Sequence, residues 1–166
     1  MAEKTATRAI LDTWNLLKRW PGGRWLFNRF LRRYNPYSGS IGASISHIEP
    51  GFVTGELKDR HAIRNHLDSI HAIALSNFGE LVSGIALLSC LPDGVRGIPT
   101  DIHARFFKKA RGRLVAECRV TAPAVFHDID FIVTADITDS DGDIVATIQV
   151  EWRLGRIQDR NTVHKK

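Results

Sequence analysis

The chain is poor in the features that would place it outside ordinary globular proteins. Cysteine is scarce, with only Cys90 and Cys118 among 166 residues. That is too few for a disulfide framework, and no leader with a small-residue cleavage site stands at the start. A reducing, cytoplasmic setting is expected. No long apolar run is free of charge. The most apolar stretch, 69–91, carries Glu80 near its middle together with Asn77 and several serines, and a membrane span rarely accepts a carboxylate there. Internal repeats and low-complexity segments are absent. With 43% hydrophobic and 25% charged residues, the composition excludes a disordered or collagenous chain and fits one folded domain.

An acidic counterweight is missing only at the ends. Residues 1–33 hold eight Lys/Arg against Glu3 and Asp12, and residues 155–166 hold four against Asp159. The middle, 34–154, has eleven against fifteen, so the overall charge of +5 does not describe a basic domain. No nucleic-acid partner is expected.

Hydrophobic periodicity divides the chain further. Ile10, Trp14 and Leu17, then Trp25, Leu26, Phe30 and Leu31, recur at helical spacing on either side of Pro21-Gly22-Gly23. They predict two amphipathic helices over 1–34. Residues 35–39 are a turn-rich joint. Ile41, Ala43 and Ile45, then Val53, Gly55 and Leu57, predict a hairpin across Glu49-Pro50-Gly51. A helix apolar nearly all round follows, from about Ser69 to Cys90, with Asp68 or Ser69 as its N-cap. Period-two runs at 102–106, 114–120, 129–137 and 144–154 then predict strands, the last two joined by a turn at Asp139-Ser140-Asp141-Gly142. One enclosed helix and a run of antiparallel strands make an α+β fold, a sheet wrapped around one long helix. The domain is expected over 35–157, with a basic tail at 158–166.

Glu80 is the only acidic residue between Ser69 and Leu91. A buried carboxylate is costly unless paired, so it either faces solvent, meets an arginine, or stands at the edge of a cleft as a general base or nucleophile. Asn65 and His71 are polar groups before or at the helix N-terminus, whose first N–H groups lack intrahelical acceptors and suit an oxyanion. His71 and Glu80 lie nine positions apart, about 900° of helix, so they project to opposite sides. If both act together, they do so across two chains.

Asn65, His71 and Glu80, spaced by six and then nine on a central helix followed by strands, resemble the hot-dog-fold acyl-CoA thioesterases of the PaaI-like branch. Those carry Asn, then His-Gly-Gly, then Asp or Glu. The run from Asn35-Pro36-Tyr37 through Arg64-Asn65-His66 to Lys109-Ala110-Arg111-Gly112 looks closer to an uncharacterised bacterial subfamily. The resemblance implies hydrolysis of an acyl-CoA or acyl-carrier-protein thioester without a cofactor, in a homodimer or tetramer with sites at the dimer interface. By position, Glu80 activates water or attacks the carbonyl, Asn65 orients the water or the carbonyl, the Ala72 N–H holds the oxyanion, and His71 shapes that turn. Ala72-Ile73 replaces the two glycines, which leaves a non-catalytic acyl-CoA or lipid-binding module as the alternative. Thr100 is the candidate polar residue on the strand after the helix. The dehydratase signatures of the same fold are absent.

Lys108, Lys109 and Arg111 form either a solvated loop edge or a contact for coenzyme A phosphates. His61, His66 and His71 recur every five residues, about 140° apart on a helix, and with no Cys pairs or His-Glu-x-x-His pattern no metal site is expected. Trp14, Trp20 and Trp25 stand among arginines. They are read as packing against the sheet or a dimer partner, with peripheral membrane contact as the alternative.

Overall fold

The computed structural model describes residues 6–157; the expected basic tail at 158–166 lies outside the described residues. Two helices, α1 (Ala6–Leu17) and α2 (Gly23–Tyr34), are followed by a short α3 (Pro36–Ser40). A hairpin of β1 (Ser44–Glu49) and β2 (Phe52–Lys58) leads through a 3-10 turn at His61–Ile63 to the long α4 (Ala72–Cys90). Then come β3 (Val95–Phe106), β4 (Arg113–Arg119), β5 (Ile129–Thr138) and β6 (Ile144–Arg156). The strands form one six-stranded antiparallel sheet in the order β1-β2-β4-β5-β6-β3.

The period-two runs become strands because one face of each is needed inside. Val53 and Leu57, Leu114 and Ala116, Val133 and Ala135, and Ile148 and Val150 are all buried, and α4 contacts every strand of the sheet. Enclosure on most sides matches the largely apolar character of α4. Each large aliphatic side chain so buried contributes about 1.5–3 kcal/mol. The helix ends where Pro92 forces Leu91 out of the helical region, at φ −62° and ψ 142°.

Close approach of helix to sheet rests on Gly79. A Cβ added there would fall onto Cγ1 and Cβ of Ile148 on β6, and a branched carbon next to the backbone cannot swing away. Gly79→Ala is therefore expected to destabilise the fold by about 1–3 kcal/mol, despite the better helix propensity of alanine. A urea unfolding curve checks this, and a midpoint at or above that of wild type would refute it.

The N-terminal helices belong to the same core. Trp14 meets Phe27 edge-to-face at 5.0 Å, and Ile10 and Leu31 are buried with them. Asn28 of α2 closes part of the β1 edge. Its Nδ2 donates to the Ile45 carbonyl at 2.9 Å, and the Ile45 N–H donates to its Oδ1 at 2.7 Å. A side-chain amide thus supplies the pairing a further strand would give, which protects an edge.

Several boundaries differ from the periodicity reading. The joint at 35–39 is largely a helical turn, because Pro36 at its first position is preset for the helix. The first hairpin strand begins at Ser44 rather than Ile41. Neither Asp68 nor Ser69 caps α4. The Ile70 N–H donates to the Ala110 carbonyl at 2.8 Å and the His71 N–H to the Ile63 carbonyl at 2.8 Å. These bonds hold the chain extended until His71, whose ring is the N-cap: Nδ1 accepts from the Ile73 N–H at 3.1 Å. The strand expected from 102 starts at Val95, with Gly97 and Pro99 inside it.

Candidate active site

On α4, positions 73, 76, 77 and 80 follow the three- and four-residue spacing of one helix face. Ile73, Ser76, Asn77 and Glu80 together form one wall of a cleft of about 570 Å³. Asn35, Tyr37 and Ser38 supply a second wall, and Pro99 and Ile102 of β3 a third. The size suits a small organic ligand.

Glu80 is half-buried; its backbone carbonyl accepts from the Ser83 hydroxyl at 3.2 Å, whereas its carboxylate makes no hydrogen bond or ion pair among the described residues. Burial alone pushes its carboxyl above the usual carboxylate range. The Trp152 ring and a Glu80 carboxylate oxygen both border Gly84, one turn further along the helix, so part of the surroundings is aromatic. A carboxylate in such a place favours its neutral form and accepts protons readily.

Asn77 completes the polar side of the wall. Its Nδ2 approaches the Tyr37 carbonyl at 3.5 Å, and its Oδ1 is buried without a donor among the described residues.

The residues expected to act with Glu80 lie elsewhere. Asn65, His71 and Ala72 do not line the cleft of the same chain; Asn65 and His71 belong to the loop before α4, and Ala72 is the first residue of the helix. Asn65 Oδ1 accepts from the Leu67 N–H at 3.0 Å, the Ser69 N–H at 3.3 Å and the Ser69 hydroxyl at 3.1 Å. Arg64 clamps the loop by donating to Asp59 and Asp68, both at 2.7 Å, and its guanidinium holds the Asp59 carboxyl below its ordinary value. Asp68 takes a left-handed conformation at φ 54°, which Asp tolerates better than most residues. At the start of α4 a backbone donor stays open. The Ile73 N–H is taken by the His71 ring, whereas the Ala72 N–H meets no acceptor among the described residues.

Thr100 sits at the β-bulge between Pro99 and Asp101, its hydroxyl donating to the Glu151 carbonyl at 3.2 Å. The extra residue resets the alternation, so Pro99 and Ile102 line the cleft and Thr100 does not. Lys108 is held by Asp139 at 2.6 Å and Asp143 at 2.7 Å, contacts that raise its pKa. Arg111 donates to the Asp68 carbonyl at 3.0 Å and the Leu67 carbonyl at 3.3 Å, bracing the loop before α4. Lys109 is exposed.

Ser76 and Asn77 were readable, being four and three positions before Glu80. Tyr37, Pro99 and Ile102 come from remote segments that only the fold brings to α4.

The fold has known relatives in structure. A Pseudomonas aeruginosa protein of unknown function, PA5026, named a probable thioesterase, superposes with a TM-score of 0.70 at 21% identity, covering 78% of this chain and 93% of that one. A thioesterase from Haemophilus influenzae gives a TM-score of 0.66 at 15% identity, with 78% and 91% covered. A thioesterase family protein from Silicibacter pomeroyi gives 0.66 at 20%, with 78% and 96% covered. At these identities the likeness establishes the hot-dog fold. No curated protein matches the chain. The family model of DUF4442, a domain of unknown function, matches residues 23–154, and the chain belongs to that family, built on the hot-dog fold of thioesterases.

Proposed function

We propose that the protein hydrolyses an acyl thioester, with coenzyme A or a carrier protein as the leaving thiol, at sites shared between two copies of the chain. The observation that carries this reading is the unpaired Glu80 carboxylate, its pKa raised by burial, in a cleft on the central helix. Glu80 takes a proton from water, and the water oxygen attacks the thioester carbonyl carbon. The oxyanion that forms is held by the Ala72 N–H of the second copy. Collapse breaks the C–S bond, and the proton on Glu80 passes to the leaving thiolate. Direct attack by Glu80, through an acyl-enzyme anhydride that water then opens, is the other course open to the same carboxylate.

Pairing of copies is supported by β3, a 12-residue strand whose outer edge is free among the described residues. Ile98 and Ile102 on it are exposed, as is Ile73 on the neighbouring helix face. Such an edge calls for a cover.

A binding module without catalysis is the second reading. Ile73, standing where the resembled enzymes have glycine, lines the cleft with its side chain. Thiol release from a panel of short, long and aromatic acyl-CoAs separates the two. Release supports hydrolysis and names the acyl class, whereas acyl-CoA binding with no release at high protein concentration establishes the module.

A further inference from the structure

The N-terminal tryptophans do not share one environment. Trp14 is buried, whereas Trp20 and Trp25 are each 69% exposed, and Leu16, Leu26, Phe30, Tyr34 and Tyr37 are exposed with them. On α2, Leu26, Phe30 and Tyr34 follow one another at four-residue steps, which stacks them in a row. The Phe30 and Tyr34 rings lie 5.8 Å apart. Beside the row run Trp25, Arg29, Arg32 and Arg33, which with Asn28 and Pro36 line a recess of about 470 Å³. The Arg29 guanidinium lies 5.9 Å from the Trp25 ring centre.

Past Asp12, which is exposed on α1, the charge of this face has one sign. From Thr13 to Ile48 there is no Asp or Glu, against Lys18, Arg19, Arg24, Arg29, Arg32 and Arg33. Among the described residues no α2 arginine pairs with a carboxylate.

We propose that the exposed face of α1 and α2 docks on an anionic lipid bilayer. Lipid phosphates enter the arginine recess, while Trp20, Trp25, Leu26 and Phe30 sink into the headgroup boundary. Guanidinium groups match phosphate oxygens in bidentate pairs. Tryptophan suits the interface because its ring is apolar and its N–H is polar. A second copy is a poor occupant, since a two-fold contact would set these cations against themselves. Single-stranded nucleic acid uses arginines and aromatic rings too, but it offers nothing to the aliphatic part of the row.

The recess and the Glu80 cleft are neighbours. Pro36 lines the first, and Asn35 and Tyr37 on either side of it line the second. Docking sets the cleft beside the lipid surface where long-chain acyl groups partition. That consequence rests on the thioesterase reading, whereas docking itself does not.

The test is flotation of the full chain with vesicles of phosphatidylcholine alone, and of phosphatidylcholine and phosphatidylglycerol in roughly equal parts, with no substrate present. Binding is expected only to the second kind, with tryptophan emission shifting to the blue. Arg29→Gln/Arg33→Gln is expected to weaken it roughly 30-fold, from about a fivefold share per surface charge. Trp20→Phe/Trp25→Phe is expected to lose the emission shift. All four side chains are exposed, so circular dichroism and Tm should match wild type in both variants. Equal binding to neutral vesicles, or binding unaltered by the arginine variant, would overturn the proposal. So would a larger assembly of wild type than of the variants without lipid, or capture of a single-stranded oligonucleotide but not vesicles.

Discussion

Glu80→Gln is expected to lower thioester hydrolysis by roughly a thousandfold, the scale of a lost general base, while raising stability at neutral pH. Both effects follow from one observation. Burial disfavours the charged carboxylate and lifts its pKa in the folded chain. Between the ordinary value and the raised one, the folded chain therefore holds a proton that the unfolded chain has released. Stability falls as pH rises through that window and remains lower above it. Glutamine carries no charge and escapes the loss. The Tm advantage of the variant should be present at neutral pH and disappear below the ordinary glutamate range, where the carboxyl is protonated in both states. Asp59 and Asp139 are shifted the opposite way by Arg64 and Lys108, but both remain in the variant and cancel in the comparison. Wild-type turnover should climb with pH as Glu80 deprotonates. Thiol release and thermal melts across pH on the two proteins measure all of this. Unchanged turnover in Glu80→Gln would place the base elsewhere.

Much of the architecture was legible because the fold half-buries its strands. The runs from 114 to 120, 129 to 137 and 144 to 154 alternate since one side chain in two must face α4, and the centres of β4, β5 and β6 fall there. The helix itself was legible because enclosure on most sides leaves it largely apolar. Its first turn was not. Asp68 and Ser69 are good cap residues, but long-range bonds from Ile70 to Ala110 and from His71 to Ile63 keep that stretch extended. The first half of β3 was hidden by Gly97 and Pro99, residues that an edge strand with a bulge tolerates. Among the site residues, Glu80 stood out as the lone carboxylate of an apolar segment. The charge of Lys108 was plain in the sequence, but the two aspartates that hold it, on the turn between β5 and β6, were not assignable to it. Trp14 and Trp25 look alike in a periodicity plot, and only packing sends one inside and leaves the other out.

Ala72→Pro and Glu80→Gln are expected to be nearly inactive singly and to recover activity when mixed. Ala72 is the first residue of α4, and the preceding His71 is extended at φ −64° and ψ 140°, the conformation that precedes a proline. Proline at this first position is preset for the helix and removes only an N–H that has no acceptor among the described residues. The change deletes the proposed oxyanion donor while keeping the His71 cap, and a lost donor of this kind lowers turnover about a hundred- to a thousandfold. Glu80 faces a cleft that Ala72 of its own chain does not line, so under the proposed reading the two groups meet between copies. In a mixed dimer one site then receives both altered residues and the other neither. Equal amounts unfolded together and reassembled give about half mixed dimers, hence about a quarter of wild-type activity. The same quantities mixed without unfolding serve as the reference, since dimers that do not exchange remain inactive. No recovery after verified exchange would mean that each chain builds its site alone, and the open edge of β3 would then need another partner.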